Sequence, residues 1–149
     1  RHCSPKEAKQ FIDRYFLNFP RVKEYMEKAV ENAKKTGEVR TLFGRKRKIP
    51  ELFSSNYMTR SFGERAAINT PLQGSAADII KAAMIKVYES LKSTGAKLIL
   101  QIHDELIVES PDEEVENVKK ILVGCMGNAV KLSLPLTVDV EQGKSWIDC

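Results

Sequence analysis

The sequence predicts an α+β fold, in which a mainly helical segment is followed by an antiparallel sheet with helices on one face. Three observations support this class. The first 35 residues contain two helical stretches, residues 98–109 contain two apolar runs around a short polar segment, and residues 135–141 alternate apolar with polar side chains. The second half therefore has the order helix, strand, strand, helix, strand, which is the β-α-β-β-α-β plan without its first strand.

The N-terminal segment carries signals for two helices and a hairpin. Ser4-Pro5-Lys6-Glu7 has the pattern of a capping box with proline at the first helical position, so a helix should begin here and extend to about residue 17. A second helix is expected over residues 21–35, and Thr36-Gly37 should end it. Residues 38–49 are expected to form a small hairpin or an ordered loop.

Two further helices are predicted on either side of Pro71. Residues 58–68 have a helical pattern that stops at Asn69-Thr70-Pro71, because the residue before a proline avoids the α region. A longer helix is expected over residues 75–92. Its predicted buried seam consists of Ile80, Met84, Val87 and Leu91.

The C-terminal third should contain one more helix and one more strand. Ser110-Pro111-Asp112-Glu113 repeats the capping pattern and should begin a helix that ends near residue 130. The strand at residues 135–141 follows, and Trp146 and Ile147 are expected to pack back against the body of the protein. An unfilled strand position would remain beside the two strands expected within residues 98–109, and such an edge invites pairing with another chain.

Composition excludes several classes of protein. The 149 residues are 42% hydrophobic and 30% charged, which supports a hydrophobic core and is not typical of disorder. No apolar run is long enough to span a bilayer and no signal-peptide pattern precedes the first helix, so no membrane partner is expected. Cys3, Cys125 and Cys149 lack metal-ligand spacing and indicate a reducing compartment. Because the chain begins at Arg1, we expect a fragment or a processed piece.

The segment from Leu98 to Glu109 predicts a β-hairpin whose tip carries His103, Asp104 and Glu105. Two-residue hairpin turns favour Asn-Gly, Asp-Gly or a leading glycine, which tolerate positive φ, and glutamate does not. This conflict indicates another demand on these positions. A divalent metal such as Mg²⁺ would be that demand, because it binds through one or two carboxylates while phosphates complete its shell. The alternative is an acidic, solvent-exposed turn.

Positive charge is concentrated in residues 40–65. This segment contains seven basic and two acidic residues, so its net charge is +5 in a chain whose total is +4. Four basic residues are consecutive, namely Arg45, Lys46, Arg47 and Lys48. Such clustering predicts contact with a phosphate backbone, and a charged loop without a ligand is the alternative.

Four segments, in this order along the chain, resemble the family A DNA polymerases (the bacterial DNA polymerase I type). They are residues 41–47 (TLFGRKR), residues 64–69 (ERAAIN), residues 73–78 (QGSAAD) and His103-Asp104-Glu105, which resembles motif C of that family. The last residues, 143–146, are also similar to the end of such a polymerase. The resemblance therefore covers essentially the whole chain.

The resemblance implies template-directed addition of dNTPs to a primer 3′ end, in DNA replication or repair. Residues 1–72 would belong to a partial fingers subdomain, and residues 73–149 to the palm subdomain. Asp104 would be a catalytic metal ligand and Glu105 its neighbouring acid, with Mg²⁺ as the cofactor of a two-metal site. The implied location is the cytoplasm or nucleoid, or an organelle in a eukaryote.

The same resemblance implies contacts with primer-template DNA. His103 would lie beside the primer terminus, with a hydrogen-bonded surface role as the alternative. Arg65, Asn69 and Gln73 carry donors suited to minor-groove acceptors, which are poorly sequence-coded. Arg65 and Asn69 share a helical face, whereas Pro71 is expected to break the register before Gln73. Without the family, Asn69 and Gln73 would be interpreted as helix-end residues.

Two motifs of the family are not found in these 149 residues. They are the DYSQIELR-like strand of motif A, which carries the second aspartate, and the motif B fingers helix, which ends in Tyr-Gly. We therefore expect the chain to need an N-terminal polymerase portion, in the same chain or as a separate subunit. Alone it should not extend a primer.

Two other functional classes remain open from the residues. A non-catalytic nucleic-acid-binding α/β module would stack bases on strand aromatics, and the predicted strands on either side of His103 contain none. A metal-dependent nuclease could use Asp104 and Glu105, but it would need further ligands such as Glu109 and Asp139.

Overall fold

A computed structural model describes residues 4–148 of the chain. The helices are α1 (Pro5–Asn18), α2 (Pro20–Thr36), α3 (Tyr57–Leu91) and α4 (Val115–Gly127), and the strands are β1 (Glu38–Arg40), β2 (Lys46–Lys48), β3 (Lys97–Ile102) and β4 (Glu105–Glu109). Short 3₁₀ helices cover Pro50–Phe53, Asp112–Glu114 and Trp146–Asp148. The predicted α+β class is confirmed. Within the described range, no helix is long and apolar enough to cross a membrane.

The first two helices begin and end close to the predicted positions. The Ser4 hydroxyl accepts a hydrogen bond from the Glu7 backbone N–H at 3.3 Å, and the Glu7 carboxylate accepts one from the Ser4 backbone N–H at 2.9 Å. The capping box is therefore complete. α2 ends at Gly37, whose φ of 71° is the left-handed conformation that favours glycine. β1 and β2 then pair as the predicted hairpin.

The chain divides into two compact units, Arg1–Ser75 and Ala76–Cys149. The first unit has a core of small and branched side chains from α2, β1, α3 and the loop between β2 and α3. Its buried members are Ala33, Val39, Ile49, Leu52 and Ala67. The Tyr25 hydroxyl donates to the Ile68 carbonyl at 3.1 Å and joins α2 to α3, and burial raises the pKa of Tyr25.

The core of the second unit is formed by the C-terminal part of α3, by α4 and by the β3–β4 hairpin. Its buried members are Val87, Leu91, Ala96, Val118 and Leu122. The predicted seam of the long helix is confirmed for Val87 and Leu91, whereas Ile80 and Met84 are half-buried. The Cys125 side chain packs against this core as a free thiol, while Cys3 and Cys149 lie outside the described residues.

The predicted break at Pro71 is wrong, because α3 continues through this residue. Proline has no N–H, so the helix loses one backbone hydrogen bond there. Two hydrogen bonds from residues outside the helix lie on either side of Pro71. The Arg47 guanidinium donates to the Thr70 hydroxyl at 3.0 Å, and the Leu42 N–H donates to the Ser75 hydroxyl at 2.9 Å. Tertiary contacts have therefore outweighed the local preference of the residue before proline.

The third strand predicted for the second half is also wrong. Residues 135–141 form no strand, and the sheet of this unit contains β3 and β4 alone among the described residues. The predicted alternation nevertheless appears in the burial of these side chains, and Val140 packs against the core. A strand requires a backbone ladder with a neighbour, and the segment packs through its side chains instead.

Two smaller predictions at the C-terminal end are corrected as well. Ser110 does not cap α4, because its hydroxyl donates to the Pro111 carbonyl at 3.0 Å and a 3₁₀ turn precedes the helix. Trp146 and Ile147 are 57% and 92% exposed, so they do not pack against the body as expected. The ion pair of Lys144 with Asp112 at 2.9 Å connects the terminal segment to the start of α4.

Candidate nucleic-acid interface and acidic turn

Arg65, Asn69 and Gln73 lie along one exposed face of α3. Residues four apart in an α-helix differ by about 40° in direction and about 6 Å along the axis. Because the helix continues through Pro71, Gln73 stays in register with the other two, and the predicted register break is wrong. The Arg65 guanidinium donates to the Ser61 hydroxyl at 3.0 Å, which orients it along the helix surface. This face presents hydrogen-bond donors at regular intervals.

The basic hairpin, defined here as residues 38–48, carries the four consecutive cations of the sequence. β1 and β2 pair antiparallel, and Gly44 has a φ of 83° in the connecting turn. Arg45, Lys46, Arg47 and Lys48 are all exposed. Glu38 lies 2.8 Å from the Arg40 guanidinium and 3.8 Å from the Lys46 ammonium, so part of the positive charge at the base of the hairpin is paired.

Two of the four cations contact α3. The Arg45 guanidinium donates to the Gly74 carbonyl at 2.9 Å, and the Arg47 guanidinium donates to the Thr70 hydroxyl at 3.0 Å. An arginine side chain has five N–H donors, and the hydrogen bond of Arg47 to Thr70 occupies one of them. The structure therefore brings the basic hairpin next to the stretch of α3 that carries Gln73. Lys46 and Lys48 lie on the same hairpin without a hydrogen bond to α3 among the contacts described.

Sequence reasoning missed the polar side chains that join the hairpin to α3. Thr41 and Ser75 are the buried polar residues of the described chain, with 7% and 5% exposure. The Ser75 hydroxyl accepts a hydrogen bond from the Leu42 N–H at 2.9 Å. No signal for this contact was present at Gly74 in the sequence, because the predicted helices covered residues 58–68 and 75–92 and left Gly74 between them, whereas the structure places it inside α3.

In the second unit, the acidic turn is defined here as His103, Asp104 and Glu105. The register pairs Ile102 with Glu105, so two residues remain between the strands and Glu105 is the first residue of β4. The positive φ required by such a turn falls on His103, at 51°, and not on an acidic residue. The Gln101 amide donates to the His103 carbonyl at 2.6 Å, which stabilises this conformation. Asp104 and Glu105 are both exposed.

The acidic turn fits a contribution to a Mg²⁺ site and does not by itself complete one. Asp104 and Glu105 provide hard carboxylate oxygens, which are the ligands that Mg²⁺ prefers. Octahedral coordination needs further ligands, and within residues 4–148 no three His, Cys, Asp or Glu side chains are grouped to hold a metal. The remaining ligands would have to come from water, from substrate phosphates or from other carboxylates.

The chain belongs to DNA polymerase family A, whose family model matches residues 1–148. It is 54% identical over 145 residues to DNA polymerase I of Bacillus subtilis, a match that covers 96% of this chain and 16% of that protein. It is 52% identical over 149 residues to DNA polymerase I of Bacillus caldotenax, covering 99% of this chain and 17% of that protein. The chain thus spans about a sixth of the length of these relatives.

A solved structure is similar over the same range. The POL domain of Pol1 from M. smegmatis, in complex with a DNA primer-template and a dNTP, matches with a TM-score of 0.93 and 44% sequence identity. The match covers 96% of this chain and 26% of that one. The resemblance found in the four sequence segments is therefore confirmed at the level of the family.

Proposed function

We propose that this chain provides part of the active site of a template-directed DNA polymerase, which adds dNTPs to a primer 3′ end. The observation that carries the proposal is the exposed carboxylate pair Asp104 and Glu105 at a hairpin turn, in a chain that belongs to DNA polymerase family A. In this assignment residues 1–72 are part of the fingers subdomain and residues 73–149 are part of the palm. The substrates are primer-template DNA and a dNTP.

In the proposed reaction Asp104 is a ligand of Mg²⁺, Glu105 is an auxiliary acid, and His103 lies beside the primer terminus. When bound, two Mg²⁺ ions would activate the primer hydroxyl and stabilise the charge on the triphosphate and the leaving group. The Gln101–His103 hydrogen bond keeps the turn in one conformation, so the Asp104 carboxylate needs less reorganisation to reach the metal. Because the Asp104 carboxylate is exposed at the turn, a nucleotide can reach it.

The DNA contact is assigned to the first unit. Arg65, Asn69 and Gln73 donate to minor-groove acceptors that differ little between base pairs, so binding does not depend on sequence. The basic hairpin residues Arg45, Lys46, Arg47 and Lys48 neutralise backbone phosphates. A polymerase needs both properties, because it must hold any correctly paired duplex.

The 149 residues alone are proposed to be inactive, because a two-metal site needs more carboxylates than one turn provides. The proposed partner is an N-terminal polymerase portion that supplies the motif A aspartate and the motif B helix. That portion would be part of the same polypeptide or a separate subunit. In support of this proposal, no three His, Cys, Asp or Glu side chains within residues 4–148 are grouped to hold a metal ion.

The test is Mg²⁺-dependent primer extension by the chain alone and after addition of the complementary N-terminal portion of the Bacillus subtilis polymerase domain. We expect extension only in the second case. Asp104→Asn should lower it at least about 100-fold, because residues that merely orient a metal ligand already account for 10- to 100-fold. Asp13→Asn, the same change at an exposed position of α1, should leave it unchanged.

Three results would contradict parts of this assignment. Robust extension by the isolated chain would overturn the claim that it is incomplete. Full activity of Asp104→Asn would remove Asp104 from the metal site. Cleavage of DNA without nucleotide incorporation, abolished by Asp104→Asn, would replace the polymerase assignment with a nuclease.

A further inference from the structure

We propose that Thr41, Gly74 and Ser75, here called the hairpin anchor, hold the basic hairpin in one orientation against α3. In this orientation the cations of the hairpin and the α3 face that carries Arg65, Asn69 and Gln73 engage the same DNA duplex. This inference rests on the DNA contact proposed above. It assigns a positioning role to residues that need not touch the DNA themselves.

Ser75 is hydrogen-bonded both to the hairpin and within α3. Its hydroxyl accepts from the Leu42 N–H at 2.9 Å and donates to the Pro71 carbonyl one helical turn earlier. The side chain is 5% exposed, so water does not compete for either bond. A buried serine that bonds both the helix and the hairpin backbone fixes their separation at this point.

Thr41 closes the turn that carries Arg45. Its hydroxyl accepts from the Arg45 N–H at 3.2 Å, and its own N–H donates to the Arg45 carbonyl at 2.9 Å. Its carbonyl accepts from the Gly44 N–H at 3.0 Å. With 7% exposure, Thr41 is the buried residue at the base of this exposed turn. The position of the cations therefore depends on where Thr41 lies.

Gly74 allows the close approach between Thr41 and α3. A Cβ atom added at Gly74 would lie 2.7 Å from the Thr41 Cγ2 methyl, so an alanine at this position would force Thr41 to move. The Arg45 guanidinium also donates to the Gly74 carbonyl at 2.9 Å. Glycine inside a helix is unfavourable by about 1 kcal/mol relative to alanine, so a packing demand accounts for it here.

The hairpin anchor is distinct from the hydrophobic contacts that fold the hairpin. Val39 and Ile49 insert into the core of the first unit from the two ends of the hairpin. The residues between them are exposed apart from Thr41. Loss of the anchor should therefore let the cations move while the core contacts remain.

The test measures binding of a fluorescently labelled primer-template duplex to the 149-residue chain over a range of salt concentrations. Gly74→Ala should weaken binding about tenfold and reduce the salt dependence by about one phosphate contact. Thr41→Ser in the Gly74→Ala background removes the Cγ2 methyl and keeps the hydroxyl, so it should restore binding. Gly124→Ala is the matched control, because a Cβ there would meet nothing within 4 Å.

A second variant covers the case in which Gly74→Ala does not fold. Ser75→Ala deletes the hydroxyl alone, so it should weaken DNA binding in the same direction and increase amide hydrogen exchange at Leu42. The free energy of unfolding of each variant, measured in urea, distinguishes positioning from general destabilisation, since removal of the Thr41 methyl would relieve a steric loss of stability as well as restore the orientation of the hairpin.

The outcomes separate this inference from the proposed function. If the wild-type chain binds no duplex, the proposed DNA contact is wrong, and the positioning role of the hairpin anchor is wrong with it. If the wild-type chain binds, but folded Gly74→Ala and Ser75→Ala bind equally well with the same salt dependence, only the hairpin anchor is overturned. Failure of Thr41→Ser to restore binding would also overturn it.

Discussion

His103 has an unusual backbone conformation at the residue before the proposed metal ligand Asp104. Among the described residues, His103 is the one non-glycine residue with a positive φ. This conformation costs roughly 1 kcal/mol or more. The hydrogen bond from Gln101 to its carbonyl offsets part of this cost. Strained residues of this kind cluster at functional sites, which agrees with the role proposed for the acidic turn.

Glu7 predicts a pH dependence at the start of α1. Its hydrogen bonds with the Ser4 side chain and backbone lower the pKa of the Glu7 carboxyl. A lowered pKa in the folded state means that the stabilisation is present above the unfolded pKa and is lost as the pH falls through the folded value. We expect the amides of the first turn of α1 to lose protection from hydrogen exchange as the pH falls below the ordinary glutamate pKa of about 4.3.

Glu7→Gln is the matched control for this titration. Glutamine keeps an oxygen acceptor for the Ser4 N–H but does not ionise in this range. The variant should show the same protection at each pH. An equal loss of protection in Glu7→Gln at low pH would assign the effect to another group.

At the scale of elements, the continuity of α3 through Pro71 decides where the proposed DNA-binding side chains lie. A broken helix would turn Gln73 away from Arg65 and Asn69, whereas the continuous helix keeps all three on one face. The hydrogen bonds from Arg47 and Leu42 on either side of Pro71 support this continuity. The basic hairpin therefore both contributes cations and supports the helix it lies against.

Pro71→Ala tests whether the helix is continuous in solution. Alanine restores the missing backbone N–H and removes the steric conflict with the preceding turn, which together are worth about 3 kcal/mol. The greater conformational freedom of the unfolded variant offsets about 1 kcal/mol of this gain. The free energy of unfolding, measured in urea, should therefore rise by about 2 kcal/mol. A decrease would indicate that the chain prefers a break at this position.

At the scale of the whole molecule, the two units have separate hydrophobic cores. Each core is built on a different stretch of sequence, with α3 contributing Ala67 to the first and Val87 and Leu91 to the second. The proposed DNA-binding residues of the α3 face and the basic hairpin belong to the first unit, and the acidic turn belongs to the second. Stability of one unit can therefore be probed without altering the residues assigned to the other.

Ile49→Ala should destabilise the first unit strongly. Ile49 is 1% exposed and is among the largest fully buried side chains, so its truncation leaves a cavity and should cost about 2 to 5 kcal/mol. Native-state amide exchange over residues 33–52 measures this loss directly. Ile12→Ala, at a position 54% exposed, should change stability by less than about 0.5 kcal/mol. Equal effects of the two substitutions would contradict the assigned core.

The helices α1 and α2, the two hairpins and the acidic turn were predictable because capping, periodicity and turn signals act between residues close in sequence. The family was predictable because its motifs are short and appear in order. The continuity of α3, the absence of a third strand at residues 135–141 and the hairpin anchor were not. Each depends on partners far away in the chain, such as Leu42 and Ser75, which are 33 positions apart. Such contacts exist only once the chain has folded, and they are strong enough to override the local preference of a residue before proline.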